Sequence, residues 1–254
     1  MEKETLVELL VKHTNKPAEV IEKMVSEIHM QLFGALGTGG KFGESNIPID
    51  YANTTMLNSV AKLNQSSIYS TLDKYCQTFQ RIIEPDGKQI KSLYLYSAES
   101  GTGKTTTACA VANEFMIYEW KRSLLTKTSM EAPPVYFFDV NEFQLLYNEA
   151  NRQGMPNYIR EEANVKYKDM RDLARTAPLV VFDDIGVRSP TEAFLGDLHA
   201  VMNFRVTNRM INVYTSNIKL SELDTMLGQR LADRIRQQTI DITFGGTSNR
   251  GVHN

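Results

Sequence analysis

The sequence predicts an α/β domain built on a mainly parallel, five-stranded sheet flanked by helices. Three observations predict it. From Ser92 onward, short apolar runs alternate with longer stretches of helical spacing, the pattern of parallel strands joined by right-handed crossovers. One of those runs, "PLVVFDD", holds four consecutive apolar residues at 179–182, which fits a central strand buried on both faces. The 254 residues, 42% hydrophobic and 23% charged, have ordinary globular composition and suffice for one such domain plus a small appendage.

The elements follow in order. Residues 1–34 read as helical, because Ile21, Met24, Val25, Ile28 and Leu32 recur at helical spacing and Pro17 suits a first turn. The glycine-rich "GALGTGGKFGES" reads as a flexible linker. In "IYSTLDKYCQTFQRII", Leu72, Tyr75, Cys76 and Phe79 share a helical face, and "EPDGK" is a turn. Then come strand "SLYLYS", a helix over 104–118, strand "PVYFFDV", a helix over 142–150 and a polar helical region near 156–175. Strand "PLVVFDD", a helix near 191–208, strand "INVYTSN", helices around 220–237 and strand "TIDITF" complete the chain. There is no internal repeat.

Composition narrows the function. A formal net charge of −2 argues against a protein that mainly coats nucleic acid, so any such contact is expected in a local patch or an assembly. Cys76 and Cys109 have neither disulfide-motif nor metal spacing, and the four histidines are scattered. Two reduced thiols and no zinc site are expected. No apolar run approaches the ~20 residues a bilayer demands, and the N-terminus lacks a signal-peptide core. A soluble, cytoplasmic protein with no membrane partner is expected.

The first strand ends in "SAESGTGKTTTA", close to the phosphate-loop pattern G-x-x-x-x-G-K-[ST]. Ala98 stands at the first glycine; Gly103, Lys104 and Thr105 complete the pattern. Glycines at 101 and 103 let successive N–H groups turn toward phosphate oxygens, and a helix starting near Lys104 offers unpaired N–H groups and a positive dipole end to the same anion. The nucleotide-binding set expected is Ser100, Gly101, Thr102, Gly103, Lys104, Thr105 and Thr106. Lys104 charges the β and γ phosphates, and the Thr105 hydroxyl suits Mg²⁺. The plainer alternative is a chance glycine-rich turn.

About eighty residues on, "LVVFDD" ends in two carboxylates. They would be costly in a plain core but suit a magnesium ion and a polarised water. Asp183 is assigned to Mg²⁺, directly or through water, and Asp184 to orienting or deprotonating an attacking water. A solvated strand-end turn is the alternative. ATP and Mg²⁺ are thus the ligands expected, with hydrolysis slow or partner-stimulated, since aspartate is one methylene shorter than the glutamate frequent at the second position.

"SGTGKTTTACAVANEF", "LVVFDDIG", "INVYTSNI", "LGQRLADRIR" and "FGGTSNR" occur in an order that resembles the AAA+ ATPases of the DnaC/DnaI helicase-loader type. The transposition ATPases of the IstB type are similar over much of this pattern, and "NIPIDYANTTM" resembles the segment that precedes the core of such loaders. The resemblance spans roughly 46–250. It implies residues 1–35 as a helical partner-binding segment, 36–45 as linker and 46–254 as the ATPase domain with a reduced C-terminal lid; by composition alone, packing of the first segment on its own ATPase core is the equal alternative. It implies Asn217 as the polar sensor of the γ-phosphate, Arg234 as a finger acting on a neighbouring subunit's ATP, and Arg250 as a second, C-terminal sensor. The plainer alternatives are a helix cap at Asn217, and for Arg234 a solvated basic face shared with Arg230 and Arg236 or Arg230 as the finger in its place.

The stretch between the second and third core strands occupies the place where this family builds spirals around single-stranded DNA. Tyr158, Arg160, Lys166, Lys168 and Arg171 mix aromatic and basic groups as such contact requires, although Glu161, Glu162, Asp169 and Asp172 dilute them. The resemblance thus implies a loader of a hexameric replicative helicase, held through the N-terminal segment and assembled by ATP on single-stranded DNA, in a bacterium or phage. A transposition helper on duplex DNA and an ATP-gated adaptor with little hydrolysis are the alternatives. No base-reading motif of a GTPase is present, and a small-molecule kinase would not need sensor and finger positions.

Overall fold

The computed structural model describes residues 1–82, 88–130, 133–186 and 190–246. In chain order the elements are α1 (Lys3–Thr14), α2 (Ala18–Glu22), α3 (Val25–Phe33), α4 (Gly40–Glu44), α5 (Ser66–Gln77), β1 (Ser92–Tyr96), α6 (Lys104–Thr126), β2 (Val135–Asp139) and α7 (Val140–Asn151). They continue with α8 (Asn157–Thr176), β3 (Leu179–Asp183), α9 (Glu192–Thr207), β4 (Ile211–Ser216), α10 (Asp224–Leu227), α11 (Gln229–Gln238) and β5 (Thr239–Thr243). The five strands form one sheet of order β2-β3-β4-β1-β5, and every pairing is parallel. The fold class is therefore the α/β architecture expected, and each strand lies where its apolar run sits.

Alternation of side chains divides the core into two layers. On one face Leu93, Leu95, Val135, Phe137, Leu179, Val181, Ile211 and Val213 pack beneath α6, α5 and the N-terminal helices. On the other, Tyr94, Tyr136, Phe138, Val180, Phe182 and Tyr214 pack against α7, α8, α9 and α11. Helix α6 runs to Thr126, two turns past the sequence expectation, because residues 107–120 are buried between sheet and N-terminal layer.

The N-terminal helices are part of the first layer. Leu6, Leu9, Leu10, Ile21, Val25, Ile28 and Leu32 join the same buried cluster as Phe79, Phe115 and Trp120. The apolar stripe of 21–32 is thus turned inward, with only Met24 and Met30 substantially exposed. One buried polar cluster ties α1 to α6: Glu114, wholly buried, pairs with Lys12 at 3.1 Å and with His13. The glycine-rich segment 36–45 contains the short helix α4. Phe42 is buried, and Gly40 has φ +54° with a would-be Cβ 2.7 Å from the Gln31 carbonyl oxygen, a position only glycine fills. Ser45 and Asn46 then pair with Phe137 on the outer edge of β2, covering one edge of the sheet.

Candidate active site

The carboxyl ends of β1, β3 and β4 converge, as parallel α/β sheets place their ligand crevices. Between them lies a cavity of about 320 Å³ lined by Ser100, Gly101, Gly103–Thr106, Asp139, Asn141, Asp183, Asp184, Thr215 and Asn217, with Tyr51, Val60 and Ala61 on a further wall. The cavity brings together the phosphate-loop residues, both carboxylates and Asn217. Thr102, also expected there, is buried beneath the loop.

The loop has the backbone its glycines permit: φ is +78° at Gly101 and +99° at Gly103, which caps α6. Ala98 is not among the positive-φ residues, so the missing first glycine leaves no strain. The Lys104 ammonium donates to the carbonyl oxygens of Ser97 and Glu99, at 3.4 and 3.1 Å, and to Asn217 Oδ1 at 2.9 Å. Lys104 and Asn217, 113 residues apart, therefore meet at the head of the loop.

Asp183 ends β3 and accepts two hydroxyl bonds on Oδ1, from Thr105 at 2.9 Å and Thr215 at 2.7 Å. Burial pushes its carboxyl up to about 6; the hydrogen bonds from Thr215 and Thr105 oppose that push, and the nearby Asp139 and Asp184 charges add to it. Three carboxylates facing one cavity, one of them poorly solvated, favour a cation. Thr105 and Asp183 supply the sparse oxygen ligation that Mg²⁺ takes alongside phosphate oxygens. The residues fit the ion.

Asp184 has φ +54°, a left-handed backbone uncommon for a non-glycine residue. Its N–H donates to Thr215 Oγ1 at 2.8 Å and its Oδ2 accepts from Asn141 at 3.2 Å. Asn141 stands in the first turn of α7, capped by Asp139, so the end of β2 supports the end of β3. Asn141, Thr215, Asp139, Val60 and Ala61 carry no motif; Tyr51 lies in the "NIPIDYANTTM" segment that resembles the one preceding the loader core. Among those five, Thr215 alone has a local signal, two residues before Asn217 in "YTSN".

The other expected residues lie outside this cavity. Arg234, on α11, donates to Asn203 at 3.1 Å and Thr207 at 3.4 Å, both on α9. Arg236 holds the Leu220 and Ser221 carbonyls, and Arg230 is exposed. Arg250 falls outside the described residues. On α8, Ala163, Tyr167, Met170 and Ala174 are buried. Tyr158, Arg160, Lys166, Lys168 and Arg171 spread around the rest of the helix rather than forming one stripe, with Lys166 paired to Glu162 and Arg171 to Asp172. Among the described residues, no helix is long and apolar enough to cross a membrane.

No protein-family model and no curated protein matches the sequence. Solved structures do match by shape. A crystal structure of DnaI superposes with TM-score 0.54 at 22% identity, over 81% of this chain and 95% of that one. A crystal structure of the DnaC helicase loader gives TM-score 0.54 at 16% identity, over 78% and 100%. AMPPCP-bound DnaA from Aquifex aeolicus gives 0.51 at 14% identity, over 79% of this chain and 51% of that one. By its fold, this chain is an α/β protein with the five-stranded parallel-sheet architecture that the DnaI and DnaC structures share.

Proposed function

We propose that this chain is an ATP-dependent loader of a hexameric replicative DNA helicase onto single-stranded DNA, working as a switch assembled by ATP. The observation that carries it is the meeting of Lys104, Thr105, Asp183, Asp184 and Asn217 on one cavity, in a fold shared with DnaI and the DnaC helicase loader. That a DnaA of the same fold holds AMPPCP supports ATP as the ligand.

Each side chain then has a task. The phosphate loop surrounds the phosphates with N–H groups, and Lys104 exchanges its carbonyl acceptors for phosphate oxygens. Thr105 and Asp183 hold Mg²⁺, which when bound neutralises phosphate charge. Asp184, fixed by Thr215 and Asn141, orients a water toward the γ-phosphate, and Asn217 senses that phosphate beside Lys104. Arg234, braced on Asn203 and Thr207, serves as the finger for a neighbouring subunit's ATP. Hydrolysis loosens that joint, because the ATP and ADP states differ in affinity for the neighbour. Arg250 is the proposed second sensor, and Tyr158, Arg160, Lys166, Lys168 and Arg171 of α8 are the proposed DNA contacts. Such a protein works in the cytoplasm of a bacterium, or of a bacterium carrying a phage.

Helicase binding falls to the N-terminal segment 1–35. Since its main stripe is buried against α1 and α4, the partner surface is what remains outside: Val20, Met24 and Met30, 40, 41 and 56% exposed. Methionines suit such an adaptable surface. The test is light scattering of the full chain with ATP·Mg²⁺, single-stranded DNA and the host's replicative helicase. A stable complex, lost in a Met24→Glu/Met30→Glu variant and altered by Lys104→Ala, is the expected result. Self-assembly on duplex DNA without the helicase would favour the transposition helper instead.

A further inference from the structure

Beside the phosphate loop runs a strap of chain that no catalytic motif marks. Residues 49–63 form two short 3₁₀ turns, Ile49–Tyr51 and Val60–Leu63, lying across the start of α6. The strap presses on the loop: a Cβ built on Gly103 would come 2.5 Å from the Ala61 Cβ. Tyr51, Val60 and Ala61 line the same cavity as Lys104 and Asp183. They are its uncharged wall. A triphosphate seated against Lys104 leaves that wall for the nucleoside.

Two buried side chains behind the wall hold it. Asn113, three turns along α6, donates its amide to the carbonyls of Tyr51 at 3.0 Å and Thr54 at 2.8 Å. Its own Oδ1 has no partner among the described residues. A buried acceptor left unpaired costs stability, so an apolar side chain would suit this core position better unless the two donations matter. Tyr69, on α5, places its hydroxyl between Ser59 Oγ and Thr107 Oγ1, the latter at 2.9 Å; all three residues are buried. This ties the start of the second 3₁₀ turn to the helix that begins at the phosphate loop. Neither Asn113 nor Tyr69 lines the cavity.

We propose that Asn113 and Tyr69 are positioning residues for nucleotide binding: they hold the strap against Gly103 as the nucleoside-facing wall, and so set nucleotide affinity without touching the nucleotide. The inference rests on the ATP reading of the site, and the experiment separates the two.

Affinities for Mg·ATP and for Mg·tripolyphosphate, which carries the phosphate chain without a nucleoside, are measured for wild type, Lys104→Ala, Tyr69→Phe and Asn113→Leu. Tyr69→Phe removes one oxygen atom, and Ser59→Ala provides a second probe of the same link should Asn113→Leu fail to fold. We expect Tyr69→Phe and Asn113→Leu to weaken Mg·ATP about tenfold, the scale of one buried hydrogen bond. Tripolyphosphate affinity should be unchanged, and KM for ATP should rise at constant kcat. Equal weakening of both ligands, or no change in either, overturns the inference. A wild type that binds neither ligand overturns the ATP reading and the inference with it. A wild type that binds both, with loss only in Lys104→Ala, upholds the ATP reading and overturns the inference alone.

Discussion

Thr215 joins the two carboxylates of the site: its hydroxyl donates to Asp183 Oδ1 at 2.7 Å while the same oxygen accepts the Asp184 N–H at 2.8 Å. One β4 hydroxyl thus stabilises the charged form of Asp183 and pins the left-handed backbone of Asp184. Thr215→Val removes both bonds and leaves the Asp184 N–H without its acceptor. We expect a loss of about 1–3 kcal/mol in denaturant unfolding and a fall in ATP turnover, with Thr215→Ser restoring most of both.

Asp183 supplies a pH prediction. Its folded carboxyl titrates near 6, above the ordinary 3.8. A raised acid pKa means that the fold binds this proton more tightly than the unfolded chain does. The stability it contributes is therefore full below about 4 and is lost as pH rises through about 6. At pH 7.5 the nucleotide-free protein carries an unpaired, poorly solvated charge worth on the order of 2–3 kcal/mol. Asp183→Asn should raise the thermal midpoint at pH 7.5 in the absence of ligand, with the difference from wild type shrinking at pH 5. The same variant should lose Mg²⁺-dependent nucleotide binding. Thermal scans at the two pH values check this.

The strands, the phosphate loop and the two aspartates were legible because they are local. Period-two alternation sends Leu93 and Tyr94 to opposite layers, and the glycines of the loop precede the helix that they cap. What depends on distant partners was not. Nothing near Asn141 in sequence announces that it will meet Asp184, 43 residues on, and nothing near Ala61 places it against Gly103. Residues 21–32 have the same apolar stripe whether it meets a partner or the chain's own α1 and α4. Only the tertiary layer, with Glu114 buried against Lys12 and His13, decides that the stripe faces inward. In the glycine-rich segment, glycine at 40 serves close packing against the Gln31 and Leu32 backbone.

The Glu114 cluster makes the N-terminal layer sensitive to acid. Burial opposes the charge on Glu114, but the hydrogen bond and charge of His13, with Lys12, outweigh it and hold the carboxyl below its ordinary 4.5. For a depressed acid the stability is full above the unfolded value and is lost as pH falls through the folded one. Docking of α1 on α6 should therefore loosen below about pH 4.5. Glu114→Leu leaves the buried His13 without its acceptor and Lys12 with Asp73 alone, and we expect it to cost roughly 3 kcal/mol. Hydrogen exchange should show protection lost first in α1.

Arg205 is a structural arginine, and substitution should show it. It is fully buried and donates to Asn212 and to the carbonyls of Ala174, Ala177, Pro178 and Ile211. Lysine keeps the charge but not the planar fork. Arg205→Lys should cost about 3 kcal/mol or more in denaturant unfolding while leaving nucleotide affinity of the folded fraction unchanged.

Titration calorimetry with ATP, with and without Mg²⁺, on wild type and Lys104→Ala tests the central claim most directly. We expect ATP to bind wild type at one site per chain, more tightly with Mg²⁺, and binding to be lost in Lys104→Ala. Wild type that takes no ATP, or Lys104→Ala that binds it as tightly as wild type, would contradict the assignment of this cavity to ATP.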